Sequence, residues 1–319
     1  MKILAIQNRM GIGDMVIFLP FIEAISKKYN SPVSILVKEN SKASEYIEKN
    51  KYIEKIIILE RDNKSSRHDG IMGSFKLISD LKKYNFQKVF IFNSSLRFLL
   101  ICKMTGIKEI FQYPLFQKKQ QHLIKTAQSF IKKELDLDID SNPIIELESS
   151  LIENAKKKYI IKSNQINILL GIGGSGPTKR IPAYKFLNFM KMAAKEHDCK
   201  FFLATGSNEE EQNILNEILN SEFKERCIPL DKVKIKETLP IIKNCTIAVC
   251  NDSSFSHLSA ALGIPTIVLL SDTPLMYGSY SPKMYPIIPD GEETVTHDTL
   301  GKERINPEKI FKIFKEILN

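Results

Sequence analysis

The sequence predicts an α/β protein built from two doubly wound domains in tandem. Three observations carry that expectation. The chain has 319 residues, beyond the roughly 250–300 at which one hydrophobic core tends to divide. Short apolar runs alternate with stretches of helical period in two separate blocks, the pattern of a parallel sheet covered by helices. Glycine- and hydroxyl-rich turns follow several of the apolar runs, at the strand ends where open α/β sheets bind ligands.

Taken in order, Lys2 to Ile6 is a strand, Gly11 to Asp14 a turn, and Met15 to Lys28 a helix, which together make a β-turn-α opening. Further strands are expected at Val33 to Val37, Ile56 to Leu59 and Lys88 to Phe92, with helices at Ser41 to Lys49 and Met72 to Tyr84. The polar stretch Arg61 to Gly73 reads as a mobile loop. From Phe111 the pattern becomes irregular, then helical over His122 to Leu135. Asp136 to Pro143 connects to a second helix, Ser149 to Ile161.

The alternation resumes with strands at Ile166 to Gly171, Lys200 to Thr205, Ile228 to Pro229, Ile247 to Cys250 and Thr266 to Leu270. Helices are expected at Ala183 to Glu196, Glu209 to Leu219 and Ser256 to Leu262. The final stretch, Pro307 to Leu318, carries Ile310, Phe311, Ile313, Phe314 and Ile317 near one helical face and so requires a surface to cover. The expected divisions are residues 1–160, 161–305 and this helix, 306–319.

With 43% hydrophobic and 26% charged residues the composition excludes disordered and fibrous classes. A formal charge of +9 suits an anionic partner such as a nucleotide, a phosphorylated glycolipid, nucleic acid or a membrane surface. It suits equally a general lysine bias on solvated faces, because the lysines are spread along the chain. The amino terminus lacks the basic-then-apolar pattern of a secretory signal, and no run approaches ~20 apolar residues. A soluble, cytoplasmic protein is therefore expected. The five cysteines form no C-x-x-C pair, so reduced structural thiols are expected and a zinc site is not.

Four turns carry candidate chemistry. Gly11-Ile12-Gly13-Asp14 combines close backbone approach with a carboxylate at a helix start, where Asp14 is either a functional acid or a favourable partner of the helix dipole. Asn251-Asp252-Ser253-Ser254-Phe255-Ser256-His257 brings hydroxyls and a helix amino terminus to a strand end, an arrangement suited to a pyrophosphate or simply an N-cap. The loop Gly171 to Arg180, with Gly173, Gly174, Thr178, Lys179 and Arg180, joins glycines to a hydroxyl and two cations able to wrap phosphates. Its glycines also fit G-x-G-x-x-G, but Pro177 and two cations stand where a dinucleotide site has an immediate helix. Glu209 and Glu210 follow the next strand, either holding a ribose hydroxyl pair or forming a solvated first turn.

These residues resemble a known family. Arg9-x-Gly-x-Gly-Asp14-x5-Pro20 is similar to the amino-terminal signature of the family 9 glycosyltransferases, the ADP-heptose:lipopolysaccharide heptosyltransferases, and Asn251-Asp252-Ser253-x3-His257-Leu258-x-Ala260-Ala261-Leu262-Gly263-x-Pro265-Thr266 is similar to their carboxyl-terminal one. Lys179-Arg180-Ile181-Pro182 resembles the family's Lys-x-x-Pro element, Gly206 to Glu209 its Gly-x-x-x-acidic turn, and His122 begins a helix similar to one late in its first domain. Where the family usually has Asp-Ser/Thr-Gly-Pro-Met-His, this chain has Asp252-Ser253-Ser254-Phe255-Ser256-His257, and it contains no tryptophan.

The resemblance implies a GT-B architecture: two Rossmann-like domains facing a central cleft, acceptor on the first and donor on the second, with the last helix returning to the first domain. It implies an inverting, metal-independent transfer, without cofactor, from a nucleotide sugar such as ADP-heptose. By residue, it implies Asp14 as catalytic base, Lys179 as phosphate ligand, Glu209 or Glu210 as nucleotide carboxylate, and Asp252, Ser253 and His257 in the donor-phosphate loop. The implied partners are the nucleotide sugar, a phosphorylated glycolipid or glycan, and the inner membrane surface at its periphery; a monomer and no nucleic acid are expected. Two other readings stand beside it: an inert nucleotide-sugar- or glycan-binding module of the same fold, and an NAD(P)-dependent oxidoreductase.

Overall fold

The computed structural model describes residues 1–9, 11–61, 66–115 and 122–319. The chain forms two compact units, Met1–Pro143 and Ile144–Asn319. In the first, five strands, β1 (Ile3–Ile6), β2 (Val33–Lys38), β3 (Ile53–Leu59), β4 (Lys88–Ile91) and β5 (Glu109–Gln112), form a parallel sheet in the order β3-β2-β1-β4-β5. Its helices are α1 (Ile12–Tyr29), α2 (Gly70–Lys82), α3 (Leu96–Met104) and α4 (Leu123–Leu135).

Side chains alternate across a strand, and this sheet spends both faces. Leu4, Ile6, Val89 and Ile91 pack with Leu77 and Leu81 of α2 and Phe98 and Ile101 of α3. The intervening residues meet an aromatic cluster: the Phe92 ring lies 5.1 Å from Phe18 of α1 and 5.4 Å from Phe130 of α4. Helix α1 begins after Gly11, whose φ of 101° is the left-handed conformation that favours glycine. The helix takes in Ile12, Gly13 and Asp14, which the sequence reading placed in a turn.

The expected helix at Ser41 to Lys49 is replaced by two short 3-10 turns, Glu39–Ser41 and Ala43–Glu45. Lys42 between them has φ 50°, and the Ser41 hydroxyl donates to the Lys38 carbonyl at 2.6 Å, so local side-chain bonding competes with helix propagation. Of the stretch read as a mobile loop, residues 62–65 lie outside the described residues, and α2 has begun by Gly70.

The second unit adds α5 (Ser149–Lys158), β6 (Ile166–Gly171), α6 (Ala183–Glu196), β7 (Cys199–Ala204), α7 (Glu209–Leu219), β8 (Cys227–Pro229), α8 (Ile235–Lys243), β9 (Ile247–Asn251), α9 (Ser254–Ala261), β10 (Thr266–Leu269), β11 (Met284–Ile287) and α10 (Pro307–Leu318). Its six parallel strands run β11-β10-β9-β6-β7-β8. Counted from the start of each unit, the two orders are 3-2-1-4-5 and 3-2-1-4-5-6. Each reverses direction between its first and fourth strands, and ligands of open α/β sheets bind beyond the carboxyl ends at that switch point.

Two expectations are corrected. The division falls after Pro143 rather than near residue 160. Helix α5 packs on α8, with the Asn244 amide donating to the Ile152 carbonyl at 2.9 Å. The last helix, expected on the first domain, belongs to the second unit: Ile310 and Phe314 enter its core, and the Phe314 ring meets Phe189 of α6 edge-on at 5.5 Å.

Candidate functional site

At the switch point of the second sheet, the loop after β6 and the loop after β9 bring together residues 73 positions apart. Lys179 ends a 3-10 turn, Pro177–Lys179, and its Nζ lies 2.7 Å from Oδ2 of Asp252. Asp252 is 6% exposed and Lys179 23%. Burial alone raises the Asp252 carboxyl, and the neighbouring ammonium outweighs that effect, so the group is held below its ordinary range and stays ionised.

His257, one turn into α9, is buried against the same carboxylate, with Nε2 3.8 Å from Asp252 Oδ1. Its Nδ1 lies 2.8 Å from the Tyr280 hydroxyl, and the two rings stack at 5.7 Å. Burial holds the imidazole below its ordinary value of 6.5, and the Lys179 charge adds to the effect against the pull of Asp252. The neutral tautomer that suits an anion at Nε2 carries its proton there, leaving Nδ1 to accept from Tyr280. His257 Nε2 thus faces Asp252 beyond hydrogen-bond distance, and Tyr280 is a member of the site that no sequence motif marks.

Ser253 is the N-cap of α9, and its buried hydroxyl has no hydrogen-bond partner among the described residues. Ser254 is the first residue of the helix. The Lys179 ammonium, paired with Asp252 next to that amino terminus, and the Ser253 hydroxyl are groups that an anion could engage.

The glycine loop is held by contacts within the protein. Glu211, buried in α7, accepts from the Gly174 amide at 2.7 Å. A Cβ at Gly173 would lie 2.5 Å from Glu211 Oε1 and 3.0 Å from Thr205 Oγ1, so a larger residue there would have to displace those side chains. Arg180 pairs with Glu210 and donates from Nε to the Gly174 carbonyl at 3.0 Å. The Thr178 carbonyl accepts from the Ser271 hydroxyl at 2.8 Å. Glu209 opens α7 and is exposed. The glutamate that organises the loop is therefore the third of the run, and its signal was the Asn-x-x-Glu capping spacing: Asn208 caps α7 by accepting from the Glu211 amide at 3.0 Å.

In the first unit, Asp14 lies in the first turn of α1 beyond the end of β1, and Arg9 Nη1 is 3.5 Å from its Oδ1. The adjoining strand end is tied in through Asn93, whose amide donates to Asn8 Oδ1 at 3.0 Å. Two tyrosines complete the surroundings. Burial, and after it the Asp14 charge, raises the Tyr46 hydroxyl well above its ordinary range. Burial likewise raises Tyr113, opposed by Arg9, and the Tyr113 hydroxyl has no hydrogen-bond partner among the described residues.

The sequence model of glycosyltransferase family 9 (heptosyltransferase) matches residues 76–298, more than half of the chain. The chain belongs to glycosyltransferase family 9. The match includes Lys179, Asp252, His257 and Tyr280 and begins after Asp14. Over its whole length this family 9 chain is 23% identical to lipopolysaccharide heptosyltransferase 1 of Campylobacter coli, covering 99% of both. Its fold is that of the E. coli ADP-heptose LPS heptosyltransferase II, with TM-score 0.74 at 19% identity over 100% of this chain and 98% of that one. A family 9 glycosyltransferase from Veillonella parvula superposes with TM-score 0.77 at 18% identity, covering 99% and 97%. The two Rossmann-like units are thus those of the GT-B fold. In this family 9 chain the loop after β6 does not open directly into an α-helix, as the dinucleotide reading requires, since a 3-10 turn and Arg180 to Pro182 precede α6.

Proposed function

We propose that this glycosyltransferase moves a heptose from ADP-heptose onto a lipopolysaccharide-core or related glycolipid acceptor, inverting the anomeric centre without a metal. The observation that carries the donor half is the Lys179–Asp252 pair at the switch point of the second sheet, beside the amino terminus of α9. A diphosphate competes with Asp252 for the Lys179 ammonium. As C1 of the sugar parts from the diphosphate oxygen, negative charge grows on the leaving group, and Lys179 together with the α9 amides stabilises it.

Asp14 is the proposed base. It accepts the acceptor hydroxyl's proton while that oxygen bonds to C1 from the opposite face, which makes the reaction one displacement. General-base help of this kind contributes typically ~10²–10⁴ in rate. Arg9, with Nη1 3.5 Å from Asp14 Oδ1, lies beside the proposed base. The acceptor is a phosphorylated glycolipid, and the enzyme works at the cytoplasmic face of the membrane as a monomer.

The test is Asp14→Asn, assayed with ADP-heptose and a lipopolysaccharide-core acceptor in the presence of EDTA. The variant should bind ADP with unchanged affinity by calorimetry and lose transfer by roughly 10² or more. Transfer within a factor of two of the wild type removes Asp14 from the mechanism, and an EDTA-sensitive wild type removes the metal-free scheme.

A further inference from the structure

The first unit carries an apolar face that its own core leaves open. On α2, Ile71 and Phe75 are 79% and 52% exposed, one helical turn apart. On α3, Leu96, Leu100 and Met104 follow at successive four-residue steps, and each is at least half exposed. The two helices pack side by side, and these residues line a cavity of about 510 Å³ between them. Large exposed apolar side chains gathered in this way mark an interaction surface rather than ordinary surface scatter.

The cavity also holds cations. Arg97 lines it, held by an Nε donation to Ser74 Oγ at 2.9 Å and by a bond to the His68 carbonyl, while its buried Nη1 has no partner among the described residues. Arg61 lies at the same cavity, 3.5 Å from Asp69. Exposed lysines flank the patch, Lys76 on α2 and Lys103 on α3. Between residues 66 and 109 lysine and arginine outnumber aspartate and glutamate by eight to three.

We propose that the α2–α3 face docks the protein on an anionic lipid bilayer, with Ile71, Phe75, Leu96, Leu100 and Met104 entering the acyl boundary and the flanking cations meeting headgroup phosphates. No helix among the described residues is long and apolar enough to cross a membrane, so this attachment is peripheral. Apolar burial and attraction to acidic headgroups add in such binding. A second copy of the chain fits less well, because a two-fold contact sets the same cationic rim against itself. The proposal deepens the membrane-surface part of the function above and rests on it for the choice of a bilayer as partner.

The test is cosedimentation of the full-length protein with phosphatidylcholine vesicles, with and without phosphatidylglycerol, in low and high salt. Binding should require phosphatidylglycerol and weaken with salt. The double variant Phe75→Ser/Leu100→Ser should bind roughly tenfold or more weakly, and Lys76→Glu/Lys103→Glu should show a similar loss with the same melting temperature as the wild type. No binding to the acidic vesicles, equal binding by both variants, or a concentration-dependent dimer that Phe75→Ser/Leu100→Ser dissolves overturns the proposal. Vesicle binding needs neither donor nor turnover, and transfer to a water-soluble acceptor needs no vesicle, so failure of one is distinguishable from failure of the other.

Discussion

Lys179→Met removes the ammonium from Asp252 while retaining most of the aliphatic stem. The carboxylate left behind is 6% exposed and has lost the charge 2.7 Å away that kept it ionised. Burial works against His257 taking over as the counter-charge, since it lowers the imidazole. Breaking a buried ion pair by removing one partner costs about 3–5 kcal/mol, and the partial exposure of Lys179 favours the lower end, about 3 kcal/mol. In a unit the size of Ile144–Asn319, each kcal/mol shifts the melting temperature by ~2–4 °C. The expected fall is therefore ~6–12 °C at neutral pH.

Two further readouts tie this loss to the pair. Without Lys179 the Asp252 carboxyl is raised by burial, so the deficit should be largest at neutral pH and shrink on acidification as the folded variant takes up a proton. Adding Asp252→Asn to Lys179→Met should recover most of the lost stability, since a neutral amide needs no counter-charge. Scanning calorimetry of both single variants and the double variant gives the coupling, expected at roughly 2 kcal/mol or more. A double variant no more stable than Lys179→Met, or a coupling below ~0.5 kcal/mol, refutes the account of Lys179 as the charge partner of Asp252.

Because folding holds His257 below 6.5, the unfolded chain takes up a proton there before the folded one does, so its contribution to stability is complete above about pH 6.5 and is lost as pH falls. Melting temperature should decline below pH 6.5, and His257→Asn should flatten that slope; an unchanged slope contradicts the assignment. Gly173→Ala sets a methyl 2.5 Å from the Glu211 carboxylate, and melts should show a loss of about 1–3 kcal/mol. Phe314→Ala opens a cavity in the second core beneath α10 and should cost about 3–5 kcal/mol by urea denaturation.

The fold was legible wherever apolar period and element length agreed. Both sheets were foreseen because β1, β2, β4, β6, β7, β9 and β10 are short, mostly buried runs dominated by apolar residues. The elements passed over were β5 and β11 at sheet edges, and the nine-residue helices α3 and α8. The other two edge strands, β3 and β8, were foreseen, so position at an edge alone does not hide a strand; in β5 Glu109 is exposed and the remaining residues are only half-buried. Helix α10 was foreseen as an element because Ile310 and Phe314 recur one turn apart, but periodicity says only that a face must be covered and not by which unit. The site was legible to the same degree. Lys179 and Asp252 follow strands that the topology makes neighbours, whereas Tyr280 reaches His257 from a segment without regular period.

The departure at Ser254-Phe255-Ser256 is best judged from the backbone it adopts. Ser253 is extended, with φ −148° and ψ 173°, and Ser254 starts the helix; neither is in the left-handed region that requires glycine. The Ser256 hydroxyl donates to the Ser253 carbonyl at 2.7 Å and so closes the first turn of α9 with a side chain. A glycine at 254 is therefore dispensable for the turn itself. What serine changes is the space and chemistry at the helix amino terminus, where its hydroxyl joins the unpartnered one of Ser253 and the Lys179 ammonium. A more crowded terminus with more donors fits an anion that is held through oxygen atoms at its surface. Under the proposed function, the three departures from the motif in this chain would bear on which donor sugar fits, while the charge proposed to receive the diphosphate is that of Lys179, paired with Asp252.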